Sequence, residues 1–493
     1  MTNRWSDEGG LSEHDPVDVG PQGGPALTRV VRDLTLAYRT PAPPSAARID
    51  AAVVRALQQR TELPSLPRHD GIRVFPFRYQ AGPRRLAHLS WRLALLLTIT
   101  SFGGGLAAAR VLPHAPVADN DSSPILLTAP VGINPGPITI DSRTRRAFVV
   151  NGGQYGDPNG SVSVLDTATG KVLRGTPVGV GPQAIAVNAH AGRVFVVNSY
   201  LHKSGQGTVS MLDARDGRLL RTIQVGAIPF DVVVDEGTNR AFILNTYLPG
   251  YTAVERANAN VSVLDATTGR LLRTVDLGPN PEPGLGHAFF LDALHGRVYV
   301  SEPAGLGVLD AGSGALLHVF AGLGSIQALD EQTGHAFVYD RKGTLLFDVR
   351  RGTVIHTIAG VYVGYGGIVD RCDRRVIATS PQAALTLLDL CHGRIIRTIS
   401  LSSYHLTPTF AKPFPTVLAV DEVHGRALVA FPGPLDSQST PTGNGLLAVV
   451  DDRTGALVRT IPVGRNPLTA AVDPTSGHAF IVNGDSNDVT VLR

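Results

Sequence analysis

Residues 131–179 read VGINPGPITIDSRTRRAFVVNGGQYGDPNGSVSVLDTATGKVLRGTPVG, and residues 178–226 read VGVGPQAIAVNAHAGRVFVVNSYLHKSGQGTVSMLDARDGRLLRTIQVG. The second stretch repeats the first. Each holds four short apolar runs separated by turn residues. The pattern is strand a ending in Asp, a turn with Gly, and strand b ending in Asn. A variable loop follows, then strand c ending in Leu-Asp, a Thr-Gly turn, and strand d ending in Val-Gly. No copy carries a helical spacing of apolar residues, so a solenoid with a helix in each repeat does not fit.

The Asp that closes strand c serves as a register mark. It falls at Asp166, Asp213, Asp265, Asp310, Asp348, Asp389 and Asp451, at steps of 47, 52, 45, 38, 41 and 62 residues. These steps bracket the period of about 40–50 residues of a four-stranded propeller blade. Seven complete blades fit between residues 131 and 464, and residues 463–493 supply strands a, b and c of one more. The missing outer strand matches ILLTAPVG (125–132). Pairing the two ends removes an open sheet edge. The expected fold is therefore all-β, an eight-bladed β-propeller. A seven-bladed ring is the alternative, because blades four to six are short and degenerate.

The turn residues have structural duties. Glycine at 170, 217, 269 and 455 supplies the positive φ of a tight c–d hairpin. Asp141, Asp235 and Asp473 at the ends of strand a are expected to cap the next turn, and Asn151, Asn198, Asn245 and Asn483 at the ends of strand b to do the same.

At this point the repeats FVVN, SVSVLD and GKVLRGTPVG resemble the YVTN-type β-propeller repeats of bacterial and archaeal surface proteins. The resemblance covers roughly 125–493 and weakens between 280 and 400. It implies a propeller outside the cytoplasmic membrane that binds proteins or other ligands. It implies no single activity, because propellers host many.

Composition agrees with many short strands. Of 493 residues, 54 are Gly and 35 Pro, 43% are hydrophobic and 17% charged. Residues 1–90 hold 12 Arg, no Lys and 9 acids, whereas residues 124–493 hold 30 basic and 30 acidic residues. The large C-terminal part is thus neutral and has no basic stripe, so no nucleic-acid partner is expected.

The N-terminal part is expected to divide into three. Residues 1–90 read as a cytoplasmic, partly disordered Arg-rich segment with two short helices. Residues 91–112 read as a transmembrane helix around the uncharged stretch LALLLTITSFGGGLAAA (93–109), with the Gly103–Gly105 run as its weak point. Residues 113–123 are a linker, and 124–493 the propeller. Arg84, Arg85 and Arg92 precede the stretch, and Arg110 alone stands close behind it. The positive-inside rule then makes this a single-pass cell-membrane protein, with a cytoplasmic N-terminus and an extracytoplasmic propeller.

Catalytic signatures are absent from the sequence. There is no Gly-x-Ser-x-Gly, phosphate loop, His-Glu-x-x-His or Cys-x-x-Cys. Trp5 and Trp91 both precede the propeller, which counts against WD-repeat and quinoprotein propellers. His190, His295, His335, His392, His424 and His478 fall in or beside turns around a ring and are read as polar turn residues. Neither a metal site nor a cofactor is expected. Cys372 and Cys391 fall in the a–b and c–d turns of blade six, at one end of that blade, where a disulfide is expected against the alternative of two free thiols.

The functional clue is loop asymmetry. Loops at 151–161, 198–208, 245–260, 402–416 and 431–445 emerge on one face and carry Tyr155, Tyr200, Tyr247, Tyr251, Tyr404, Phe410 and Phe414. Aromatic tips on a rigid scaffold favour protein or carbohydrate contact. The expected role is a non-enzymatic, membrane-anchored module that binds a cell-envelope protein or glycan. The alternatives are a propeller enzyme of the lactonase or lyase type, and a transmembrane sensor with an anti-sigma-like inner segment. The last lacks the cysteine-histidine zinc motif of such segments, since residues 1–90 contain no Cys.

Overall fold

The computed structural model describes residues 123–153, 160–199, 207–245, 259–278, 289–302, 305–340, 343–358, 368–371, 373–380, 384–400, 416–434 and 441–493. They belong to one compact unit, Phe102–Arg493. Among them are 32 strands and no helix, arranged as eight antiparallel sheets of four strands each. Seven sheets run a, b, c, d in chain order. In the first blade these are Pro135–Asp141, Arg146–Asn151, Ser161–Asp166 and Val172–Pro177. The a strands touch one another in sequence around the ring, and that of blade eight (Pro467–Val472) touches that of blade one. This is an eight-bladed β-propeller, so the seven-bladed alternative falls. Blades four to six, degenerate in sequence, form complete sheets like the others.

The eighth sheet combines the two ends of this unit. Its strand d is Ile125–Pro130, antiparallel to strand c, Asp488–Leu492, with Thr128 opposite Thr490. The expected cytoplasmic segment (1–90), transmembrane helix (91–112) and linker up to residue 122 lie outside the described residues. Among the described residues no helix is long and apolar enough to cross a membrane.

The core lies between blades, not within one. Strand b of blade two, RVFVVN, is buried along its last five residues, because a neighbouring sheet covers each face. Phe148, Phe195, Phe242, Phe337 and Phe480 occupy one repeat position of strand b and are fully buried. Burying each contributes roughly 1.5–3 kcal/mol relative to leaving it in water. Strand d lies outermost; in blade two its residues Leu219–Thr222 are all exposed.

The c–d turn shows why Asp and Gly recur. Asp166 Oδ1 accepts from the backbone N–H of Ala168 and Thr169 and from the Thr169 hydroxyl. Gly170 then takes φ +73° and donates its N–H to the Asp166 carbonyl. The same geometry recurs at Gly217, Gly269 and Gly455. Across the b–c pair, the first Arg of strand b meets this Asp: Arg146–Asp166 at 2.9 Å and Arg297–Asp310 at 3.1 Å.

Candidate functional site

An a-b-c-d sheet puts its a–b and c–d turns on one rim of the ring, and its b–c and d–a connections on the other. The first rim is uniform: four or five residues separate strands there in blades one to seven, and six separate a from b in blade eight. The second is not. Its b–c connections run from Asn151 to Ser161, Asn198 to Thr208, Asn245 to Ala259 and Phe431 to Leu446 in blades one, two, three and seven. In blades four, five and six they shrink to Glu302–Gly305, Asp340–Gly343 and Ser380–Ala384. Long d–a connections run from Ser400 to Thr416, Gly278 to Phe289 and Ile358 to Ile368. The last two were not singled out from the sequence.

Tyr155, Tyr200, Tyr247, Tyr251, Tyr404, Phe410 and Phe414 all lie outside the described residues, as does Cys372 of the expected disulfide. Its counterpart Cys391 is half-buried at the start of the c–d turn, where burial pushes its thiol up.

The bases of the loops are built differently from expectation. The strand-b asparagines do not cap their own turns. They reach sideways to strand c. Asn198 Nδ2 donates to Thr208 Oγ1 and Ser210 Oγ, both at 3.0 Å. Asn151 does so to Ser161 and Ser163, at 3.1 and 3.0 Å. Asn245 serves Asn260 and Ser262, and Asn483 serves Asp488 and Thr490. Each amide is covered by the Gly that follows strand d of the preceding blade. A Cβ at Gly179 would stand 2.6 Å from Asn198 Cγ, and one at Gly132 2.6 Å from Asn151 Cγ. These glycines answer close approach rather than positive φ. In blades one, two and three the amide rack pins the roots of the long b–c loop to the sheet.

On the turn rim the strand-a acids do cap. Asp141 takes N–H groups from Arg143 and Thr144 and the Thr144 hydroxyl, and Asp235 does the same with Gly237 and Thr238. The histidines are turn residues. His424 and His392 donate to Asp421 and Asp389 at 2.7 Å, and His295 to Asp292 at 2.8 Å. His335 and His478 donate across the blade interface to the carbonyls of Cys391 and Thr167, both at 2.8 Å.

One grouping escaped the sequence reading. Asp370, Asp373 and Asp452 each offer a carboxylate oxygen, and the three atoms lie within 4.8 Å of one another. The signal was the Asp451-Asp452 doublet, at a place where most repeats carry one Asp and then an apolar residue.

No protein-family model and no curated protein matches the chain. Solved structures do resemble it. One is BamB from Moraxella catarrhalis, at 11% identity and TM-score 0.46 over 77% of this chain and 99% of that one. Another is the dihydro-heme d1 dehydrogenase NirN in complex with DHE, at 14% identity and 0.48 over 77% and 75%. A third is the computationally designed Ika8 protein, at 15% identity and 0.49 over 74% and 98%. The chain is similar to these proteins at this level, and its propeller architecture stands on its own hydrogen-bonded sheets.

Proposed function

We propose that this protein is a non-catalytic binding module. It is anchored by residues 91–112 in the cell membrane, with its propeller outside, and its loop rim engages a cell-envelope protein or glycan. The observation that carries this reading is the contrast between the rims. One keeps turns of a few residues throughout, whereas the b–c insertions of the other gather on blades seven, one, two and three, which are neighbours through the short-looped blade eight. A rigid scaffold that varies on one face is how loops are made into recognition surfaces. The resemblance of the repeats to YVTN-type surface propellers supports the same reading. The aromatic residues of these loops supply large contact area at low entropy cost.

The test is a binding screen of the full chain against envelope proteins and glycan arrays, with Tyr155, Tyr200, Tyr247 and Tyr251 all changed to Ala as the comparison. The variant is expected to lose at least tenfold in affinity for whatever the parent captures, with an unchanged Tm. A parent that captures nothing, or a variant that binds as well, refutes the assignment of this rim.

A further inference from the structure

The interface between blades six and seven departs from the other interfaces at two positions, both toward a carboxylate. At the turn rim, the first residue after strand c of one blade faces the a–b turn of the blade before it. In blades one to six this residue is Thr167, Ala214, Ala266, Ala311, Val349 and Leu390, all buried. In blade seven it is Asp452, 1% exposed. The a–b turn that it faces begins at Asp370, also 1% exposed, the last residue of strand a in blade six (Ile368–Asp370).

The second departure lies in that turn. Three residues after the closing Asp, each of the six other blades that close strand a with Asp places a side chain that donates to it; blade two ends in Asn188 and carries Ala191 there. The six donors are Thr144 at 2.9 Å, Thr238 at 2.7 Å, Thr333 at 2.6 Å, Ser476 at 2.9 Å, and the imidazoles of His295 and His424. Blade six places Asp373 there, whose ionised carboxylate only accepts.

The three carboxylates converge within 4.8 Å. Neither oxygen of the buried Asp452 carboxylate has a hydrogen-bond partner. Two arginines stand nearby, and their bonds go elsewhere. Arg453 Nε and Arg375 Nη1 reach Asp373 Oδ2 at 2.7 and 3.8 Å. Arg375 also donates to the backbone carbonyl of Asp452 at 3.4 Å, not to its carboxylate. Gly425 leaves the space above Asp452 Oδ1, which a Cβ there would approach to 3.3 Å. Burying an unpaired carboxylate is costly, and a protein keeps one where a partner of opposite charge arrives.

We propose that Asp370, Asp373 and Asp452 bind a hard divalent cation of the calcium class, clamped between blades six and seven. The donor set is oxygen only, without His or Cys, which selects against zinc and copper. Calcium tolerates irregular oxygen geometry and sheds water readily, whereas magnesium retains several waters that a site buried at two of its three ligands does not favour. The Asp452 carboxyl is pushed up to about 6, by burial first and then by the charges of Asp370, Asp373 and Asp451. A dication reverses that effect by supplying the missing charge. The bound ion joins two blades, so it stiffens the arc of the ring on which blade seven carries its long loop.

The experiment uses the full chain stripped with chelator and then titrated with Ca²⁺ or Mg²⁺, read by calorimetry and by thermal melting. Calcium is expected to bind with one site per chain and to raise Tm. Asp452→Ala restores the residue of blades two, three and four, and Asp373→Thr restores the donor of blades one, three and five. Each is expected to weaken calcium binding at least tenfold and to melt in chelator no lower than the parent. Those two melts show that loss of binding is not loss of fold. The proposal is overturned if the parent shows neither heat nor a Tm shift up to about 5 mM calcium, beyond the ~10⁻³ M end of known calcium modules. It is overturned equally if either variant keeps the full response, or if magnesium binds more tightly than calcium.

Discussion

The repeat uses glycine at two positions for two different physical reasons, and single substitutions separate them. Gly179 lies where a side chain would collide with Asn198, with Cγ and Nδ2 both 2.6 Å from the added Cβ. Gly175, four residues earlier in strand d, has open space around it and an ordinary φ. Gly179→Ala is expected to cost about 1–3 kcal/mol, the usual effect of overpacking. Gly175→Ala is expected to be neutral or to stabilise by about 0.5 kcal/mol through the unfolded chain. Urea midpoints of the two variants check this, and equal destabilisation would mean that the Asn198 rack is not tight. Asn198 itself was legible in the sequence as a repeated strand-b terminus. Its partner was not, because which strand an amide turns toward depends on which neighbour offers a hydroxyl. Thr208 and Ser210 become its neighbours only when strands b and c pair in register.

The c–d turn is the unit that titrates. Burial opposes ionisation of Asp166 and Asp265, but the hydrogen bonds from Thr169 and Thr268 and the charges of Arg146 and Arg240 outweigh it and hold both carboxyls below the ordinary value. Asp310 is held low chiefly by the N–H and hydroxyl of Ser313. A depressed folded pKa gives stability that is full above the unfolded value, near 3.9 for Asp. It is lost as pH falls through the folded values. The contribution of these three turns to the unfolding midpoint is therefore expected to hold level from pH 7 to about 5 and to drop below about 4. Changing Asp166, Asp265 and Asp310 to Asn should lower the plateau and flatten that drop. Each half-exposed pair contributes no more than about 1 kcal/mol, so the triple variant is the one to measure. An acid limb of unchanged steepness would show that other carboxylates set it. The glycine of these turns was legible in the sequence, whereas the Asp stood there only as a register mark, although the groups it caps lie within five residues of it. The cross-strand Arg was not read, since it belongs to the preceding strand.

At the scale of the ring, the antiparallel pairing of Ile125–Pro130 with Asp488–Leu492 covers strand c of the last sheet, which would otherwise be its outer edge. Deleting residues 1–131 removes that strand, whereas deleting 1–122 keeps it. The longer deletion is expected to lower Tm by on the order of 5 °C and to bring chain association at the bared edge, visible by size-exclusion chromatography. The shorter deletion should leave the propeller's melting unchanged. If both melt alike and stay monomeric, the strand carries no stability.

The eight-bladed reading, the glycine hairpins and the strand-a caps came from the sequence by itself, and the eight sheets of the structure removed the seven-bladed alternative. A blade is built from neighbours in the chain, so its hydrogen bonds repeat with a period that apolar runs, Asp and Gly mark in plain order. Only the tertiary structure decided that Asp452 meets Asp370 and Asp373. That meeting depends on one blade stacking on the turn of another, and the spacing between the partners varies with every loop inserted between them. The rim contrast belongs to both levels: loop length is written in the chain, and the closed ring gathers the ends of blades seven, eight, one, two and three on one arc.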